Sequence, residues 1–306
     1  MKILLTGATG FIGQQFALMH SDCRCVVRKG EGCEFEDKFI VDSINANTNW
    51  YECFDGVDAI VHLAGIAHKI GISRGDYVNV NTQGTLRLAS EAAKFGVKRI
   101  VFVSTIGVNG LLTQVERFAP DSIPNPHNDY AQSKYYAELG LKKIAEKTGL
   151  EVVIVRPTLV YGPSAPGNFG LLTKLVNKAP FLPFGMAKNR RGFIAVQNLA
   201  DLLVTCATHP NAAGHTFLAS DGKMVSTKQL TNTIAEGLGK KVIQLPLPVS
   251  IMRFAGKLTG KSTMIEQLYG NLEVDSSNIK EVLGWTPPLT MKQAMATLCD
   301  SGVNSK

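Results

Sequence analysis

The sequence predicts an α/β fold, a doubly wound parallel sheet followed by a smaller C-terminal lobe, on three observations. An apolar run, residues 2–6 (KILLT), passes directly into glycines at 7, 10 and 13. Strand-like apolar runs and helical patterns then alternate as far as about residue 160. After Gly162-Pro163, prolines at 163, 166, 180 and 183 break that rhythm. Such alternation argues for a parallel sheet with helices on both faces, and strands buried on both faces read as continuous apolar runs.

Taken in order, residues 2–6 form the first strand and 11–19 the first helix, with the glycines spaced G-x-x-G-x-x-G between them. Strand, glycine turn and helix together are the context a dinucleotide fingerprint requires. Gly7 allows the tight turn, Gly10 the close approach of a pyrophosphate, and Gly13 the packing of helix on strand. The helix start, with Phe11 and Ile12, offers N–H groups and a positive dipole end to phosphates. The second strand, 24–28, ends in Arg28-Lys29. This fold usually places an acid there to hold the ribose 2′-hydroxyl of NAD. Two cations in that place suit a 2′-phosphate, so the expected cofactor is NADP, with NAD as the alternative. A third strand, 38–41, leads to Asp42 and Ser43, expected over the adenine. Strands at 58–63, 99–104 and 151–156 and helices at 75–95 and 129–147 complete a dinucleotide-binding unit, 1–162. The remainder, 163–306, with helices expected at 198–208, 226–238 and 289–300, reads as a substrate lobe partly interleaved with the first unit.

With 306 residues, 45% of them hydrophobic, the chain can bury a full core. It contains no run of 18 apolar residues, so a membrane span is not expected. The first strand begins at residue 2, which leaves no room for a signal peptide. Cysteines at 23, 25, 33, 53, 206 and 299 show no C-x-x-C spacing, and reduced thiols in a cytoplasmic protein are the expectation. The net charge of +7 is scattered, densest at Lys188-Asn-Arg190-Arg191. It forms neither a basic stripe nor a nucleic-acid-binding module, and phosphorylated small molecules account for it better. His62 and His68 lack metal-binding partners in the sequence and read as structural.

Tyr130 and Lys134, at i and i+4 in the helix 129–147, project from one face. A phenol is a weak base at neutral pH. A nearby ammonium is expected to lower its pKa into a range useful for proton transfer, and Lys134 is also suited to hold a nicotinamide ribose. Thr105 ends the strand 99–104 at its carboxyl edge, where open α/β sheets bind ligands.

Seven motifs in order, GATGFIG (7–13), HLAG (62–65), N-x-x-G-T (81–85), S-T-x-x-V-x-G (104–110), YAQSK (130–134), RPTLVYGP (156–163) and LGW-x-P (283–287), carry a resemblance across nearly the whole chain. The chain resembles an extended short-chain dehydrogenase/reductase of the NAD-dependent epimerase/dehydratase family, a Rossmann-type fold whose substrates are mostly nucleotide sugars. The resemblance implies Thr105, Tyr130 and Lys134 as a catalytic trio. It implies Leu63, Ala64, Gly65 and Asn81 along the cofactor and Pro157 by the nicotinamide. Asn168 and Phe169 would contact the sugar-nucleotide diphosphate and Arg191 its phosphates, the nucleotide being UDP. A homodimer through the helices 75–95 and 129–147 is a further implication.

Departures from the family pattern narrow the reaction. Dehydratases carry Asp-Glu after the catalytic threonine, whereas Ile106-Gly107 stand here. The NAD-retaining epimerases have an acid where Arg28-Lys29 stand. Epimerases of the common type also have a late arginine that the stretch Tyr269–Asp275 lacks. The resemblance to bacterial surface-polysaccharide enzymes points to reduction of the C4 ketone of a UDP-4-keto-6-deoxy-N-acetylhexosamine. UDP-sugar 4-epimerisation is the alternative. A non-enzymatic NADP-sensing role is a minor one, opposed by the intact trio.

Overall fold

The computed structural model describes residues 1–31, 35–67 and 71–299; Cys33 and His68 lie outside the described residues. The strands β1 (Ile3–Thr6), β2 (Arg24–Arg28), β3 (Lys38–Val41), β4 (Ala59–His62), β5 (Arg99–Val103) and β6 (Glu151–Pro157) match the expected runs to within about a residue. Between the sheet and the last strands lie β7 (Leu159–Tyr161), β8 (Phe181–Leu182) and β9 (Phe193–Ala195), followed by β10 (Thr216–Ala219) and β11 (Ile243–Gln244). The central sheet has the order β10-β6-β5-β4-β1-β2-β3, with every pairing parallel. From β1 the chain builds outward to β2 and β3, and then crosses to build β4, β5 and β6 on the other side. The strand order therefore reverses between β1 and β4, and ligands bind at the carboxyl ends beside such a reversal.

The period-two alternation of the strands sorts the core into two layers. Leu5, Val61, Val101 and Val153 face a layer with Phe16 of α1 (Phe11–Met19). Leu4, Ile60, Ile100 and Phe102 face the opposite layer with Leu88 and Leu141. On that second face lies the long segment expected as one helix, 75–95. It is instead α2 (Arg74–Tyr77), a π-helical stretch Val78–Gly84, and α3 (Thr85–Lys94). Periodicity cannot distinguish a widened turn from an α-helix, and here the widening re-aims Asn81. The next helix, α4 (Asp129–Thr148), starts where Asn128 accepts the Ala131 N–H at 2.8 Å and stops at Gly149, with φ +77°. Both are standard helix boundaries.

Beyond residue 162, α5 (Gly167–Lys178), α7 (Thr227–Gly237), α8 (Val249–Leu258), α9 (Ser262–Tyr269) and α11 (Met291–Ala296) belong to the lobe, around Tyr161, Phe169, Phe184 and Leu230. Segments of this half also return to the sheet. α6 (Val196–Thr208) adds Leu199 and Leu203 to the layer of α1, and α10 (Ser277–Leu283) adds Ile279 to the same layer. β10 pairs with β6 as the edge strand. Four residues, TFLA, are too few for periodicity to report, which is why the sequence did not reveal β10.

One buried ion pair ties α4 to β6. Arg156 donates from Nε and Nη2 to the two carboxylate oxygens of Glu138, at 3.0 and 2.6 Å, and from Nη1 to Asn109 Oδ1 at 3.0 Å. The two charged side chains are 4% and 1% exposed, so neither can fall back on water. Glu138→Ala should therefore destabilise the fold by about 3–5 kcal/mol, because it leaves a buried guanidinium without its counter-charge. Urea unfolding of the two proteins measures the difference.

Candidate active site

The loop after β1 is shaped by contacts that only glycine permits. Gly7 has φ +76°, and a Cβ there would stand 2.8 Å from the Ala64 backbone nitrogen. A Cβ on Gly13 would overlap the carbonyl oxygen of Gly7. Gly10 donates its N–H to Gly7 O at 3.0 Å, and α1 begins without a side-chain cap, with Phe11 and Ile12 half-buried. A tight turn free of Cβ atoms, opening on uncapped helix N–H groups, fits a pyrophosphate.

Beneath this loop, His62 at the end of β4 is fully buried and joins three elements. The Thr85 hydroxyl donates to Asn81 O at 2.7 Å, so its oxygen accepts from His62 Nε2, at 2.8 Å. Nδ1 is then the ring acceptor and takes the hydroxyl proton of Thr6, at 2.6 Å. The Thr6 oxygen in turn accepts the Ala64 N–H at 3.3 Å. Burial, and secondarily the charge of Lys134, holds the imidazole neutral by lowering its pKa to about 3. The chain fixes the ends of β1 and β4 and the π-helical stretch in one arrangement, and it carries Leu63, Ala64 and Gly65 past Gly7.

The π-helical stretch turns Asn81 inward, as such stretches often do at functional sites. Asn81 Oδ1 accepts the Ile66 N–H at 2.8 Å, and Nδ2 donates to Ile66 O and Ser133 Oγ, both at 3.0 Å. Ser133 Oγ donates to Tyr130 O at 2.7 Å, so Asn81 holds the turn of α4 that bears Tyr130 and Lys134. Lys134 is buried, with Nζ donating to Val103 O at 2.8 Å and lying 4.5 Å from the centre of the Phe102 ring. A Cβ on Gly65 would come within 2.9 Å of Asn81 Oδ1 and 3.5 Å of Lys134 Nζ. Burial lowers the Lys134 pKa to about 8, against an opposing pull from Glu138.

Tyr130 is half-buried, its ring centre 6.2 Å from that of Tyr77. Its phenol is not activated in the manner expected from sequence. Burial, then the neighbouring Tyr77, pushes its pKa up to about 12. The Lys134 ammonium is directed at the Val103 carbonyl, so desolvation of the phenol prevails.

Thr105 has extended backbone, and its Oγ1 accepts the Gly107 N–H at 3.1 Å. The cap occupies the oxygen as an acceptor and leaves the O–H to donate. Gly107 brings this turn against the start of α4, since a Cβ there would lie 2.9 Å from the His127 ring and 3.4 Å from Ala131 Cβ. Ile106 is buried and apolar, so the place held by Asp-Glu in dehydratases has no group that exchanges protons.

At the end of β2, Arg28 is exposed and ion-paired with Glu31, which also accepts the Thr9 hydroxyl at 3.3 Å. A carboxylate thus stands beside the two cations that the strand ends in. Glu31 follows the strand by three residues, across a turn at Gly30 with φ +83°, and strand-based counting passes over it. Lys29 is exposed, as are Asp42 and Ser43 just beyond β3.

In the lobe, Asn168 donates to Gln267 Oε1 at 3.0 Å. Phe169 is 1% exposed and packs on Tyr161, so its ring is a core element rather than a contact surface. Arg191 is half-buried and donates to Gly270 O at 3.0 Å, with burial lowering its pKa to about 10. Gly192 N bonds Leu272 O, and Leu272 clusters with Ile106, so the segment bearing Arg191 lies against the turn bearing Thr105. Pro157, buried, ends β6. A hollow of about 490 Å³ beside Gly162 and the first turn of α5 is lined by none of Thr105, Tyr130 and Lys134.

A family model, the NAD dependent epimerase/dehydratase family, matches residues 3–219. The chain belongs to this family. It is 41% identical over 307 aligned residues to a UDP-glucose 4-epimerase of Vibrio cholerae, covering 95% of this chain and 92% of that protein. The fold is also that of the Thermotoga maritima UDP-glucose 4-epimerase solved with UDP-glucose, at a TM-score of 0.77 and 22% identity, covering 98% of both chains. WbmG of Bordetella bronchiseptica, solved with NAD and UDP, superimposes with a TM-score of 0.74 at 19% identity, covering 99% of this chain and 94% of that one. The family identification made from the motifs is thus borne out, and with it the α/β class.

The His62 chain has a consequence for acid stability. The native imidazole stays neutral down to about pH 3, whereas in the unfolded chain it takes up a proton below about pH 6.5. The unfolded state then binds the extra proton, so stability falls as pH falls through this window, by about 1.4 kcal/mol per unit. Urea unfolding at a series of pH values should show this slope in the wild type and its loss in His62→Gln.

Proposed function

We propose that the chain oxidises and re-reduces C4 of a UDP-linked hexose, as a nucleotide-sugar 4-epimerase. The observation that carries the C4 chemistry is the buried Lys134 one turn from Tyr130, beneath Gly65 and Asn81 at the reversal of strand order. The likeness to the Vibrio cholerae epimerase over nearly the full length of both chains supports the epimerase outcome. So does Glu31, a carboxylate within reach of the ribose end, which favours NAD kept in place through the cycle. A bound nicotinamide supplies the hydride acceptor and donor.

In this reading Gly7, Gly10 and Gly13 admit the pyrophosphate, and Leu63, Ala64, Gly65, Asn81 and Pro157 border the cofactor. Tyr130 Oη takes the proton of the C4 hydroxyl during oxidation and returns it during reduction. The ammonium of Lys134 holds the ribose beside the phenol. Thr105 donates its hydroxyl proton to the C4 oxygen as negative charge develops there. Asn168 and Arg191 hold the diphosphate, for which a guanidinium is well suited. The chain acts in the cytoplasm, with 163–306 closing over the substrate that 1–162 faces. A homodimer through α3 and α4 fits the exposed Tyr136 and Leu139 of α4.

A second reading, reduction of a UDP-4-keto-6-deoxy-N-acetylhexosamine with NADPH for surface polysaccharide synthesis, is favoured by Arg28 and Lys29 at the ribose end. It is favoured too by buried Leu272 in the late stretch where common epimerases carry an arginine. Incubation with UDP-glucose and UDP-N-acetylglucosamine in the presence of NAD, with the products resolved by NMR, decides between them. The epimerase reading expects C4 epimers from at least one substrate, and a loss of about 10²–10⁴-fold in Tyr130→Phe. Stoichiometric consumption of NADPH with the 4-keto sugar, and no epimers, would establish the reductase instead.

A further inference from the structure

The lobe carries a helix whose two opposite faces are both apolar. In α8, Val249, Met252 and Gly256 turn toward the lobe, where Gly256 packs so closely on Ile265 that a Cβ would stand 2.6 Å from it. About 160° around the helix, by its periodicity of 100° per residue, Ile251, Phe254 and Leu258 are 55%, 64% and 72% exposed. An inward face is what a globular domain requires of a helix; the outward one serves no packing purpose among the described residues.

Charge indicates what covers it. From Gly237 to Ile265 the sequence has five bases, Lys240, Lys241, Arg253, Lys257 and Lys261, and not one acid. Arg253 is engaged with Glu266 of α9, at 2.8 and 3.1 Å. Lys257 and Lys261 are exposed at the border of the apolar face. A short helix with Phe and Leu on one side and lysines at its flank has the pattern of an interfacial helix, with the apolar residues among acyl chains and the ammonium groups at anionic headgroups. A second copy of this chain would bring like charge against like charge.

We propose that the outward face of α8 docks on the surface of a bilayer containing anionic lipid. Among the described residues no helix is long and apolar enough to cross a membrane, so the attachment is peripheral. α8 packs on α9, whose Gln267 bonds Asn168 and whose end is followed by the Gly270 carbonyl that Arg191 engages. Docking would hold these residues one helix away from the lipid. The proposal is independent of which C4 reaction the chain performs.

Co-sedimentation with vesicles tests it. Wild-type protein should bind vesicles of phosphatidylcholine with about one-third phosphatidylglycerol, release in high salt, and bind pure phosphatidylcholine at least tenfold more weakly. Phe254→Ser/Leu258→Ser, changing only exposed side chains, and Lys257→Glu/Lys261→Glu should each weaken binding at least tenfold, with turnover of a nucleotide sugar in lipid-free solution unchanged. Wild-type protein left in the supernatant with both vesicles would overturn the proposal, as would binding unaffected by either double substitution. It would equally be overturned by light scattering that shows a lipid-free dimer dissociated by Phe254→Ser/Leu258→Ser, since the face would then belong to a second copy.

Discussion

The site is organised around one constraint, the removal of the Lys134 ammonium from water. A buried charge is costly unless polar groups meet it, and here the Val103 carbonyl and the face of the Phe102 ring do so directly. One turn further along α4, Glu138 pulls the lysine toward its charged form while itself held by Arg156. The same constraint sets the neighbouring residues. A side chain at position 65 would push against Asn81 Oδ1, 2.9 Å from a Cβ there, and so disturb the bonds by which Asn81 holds α4. Asn81 reaches across only because the helix before α3 is widened. That widened stretch is in turn moored by His62 through Thr85. Sheet ends, π-helical stretch and α4 are thus one hydrogen-bonded unit.

The paired proton energetics follow from the same burial. Desolvation raises the Tyr130 phenol from its ordinary value near 10 to about 12 and lowers the Lys134 ammonium from 10.5 to about 8, so burial disfavours the charged form of each and moves the two groups apart in acidity. Proton movement between phenol and substrate oxygen then responds to whatever positive charge lies beside it.

Much of this was legible in the sequence because the sheet announces itself through continuous apolar runs and the glycine turn through its spacing. Tyr130 and Lys134 were legible as an i, i+4 pair. What escaped was whatever depends on contacts between distant segments. Glu31 sits beyond a glycine turn and reaches Thr9 only in the folded chain. The activation of Tyr130 expected from its nearness to Lys134 fails because Lys134 faces Val103, which helical spacing cannot report. Phe169 reads as part of a binding motif and is a core residue instead. β10 is too short to show a period, and the widening at 78–84 has the same polarity pattern as an ordinary helix. The lobe is the least legible part, since its elements are short and broken by proline.

The central claim is that Tyr130 and Lys134 serve direct hydride chemistry at C4 of a nucleotide sugar. It is tested most directly with UDP-hexose deuterated at C4, incubated with the NAD-loaded protein and followed by mass spectrometry. The account predicts a slowed reaction and deuterium recovered at C4 of the epimeric product, carried there by the bound cofactor and never exchanged with water. Loss of the label to solvent, or epimer formation at an undiminished rate, would contradict it.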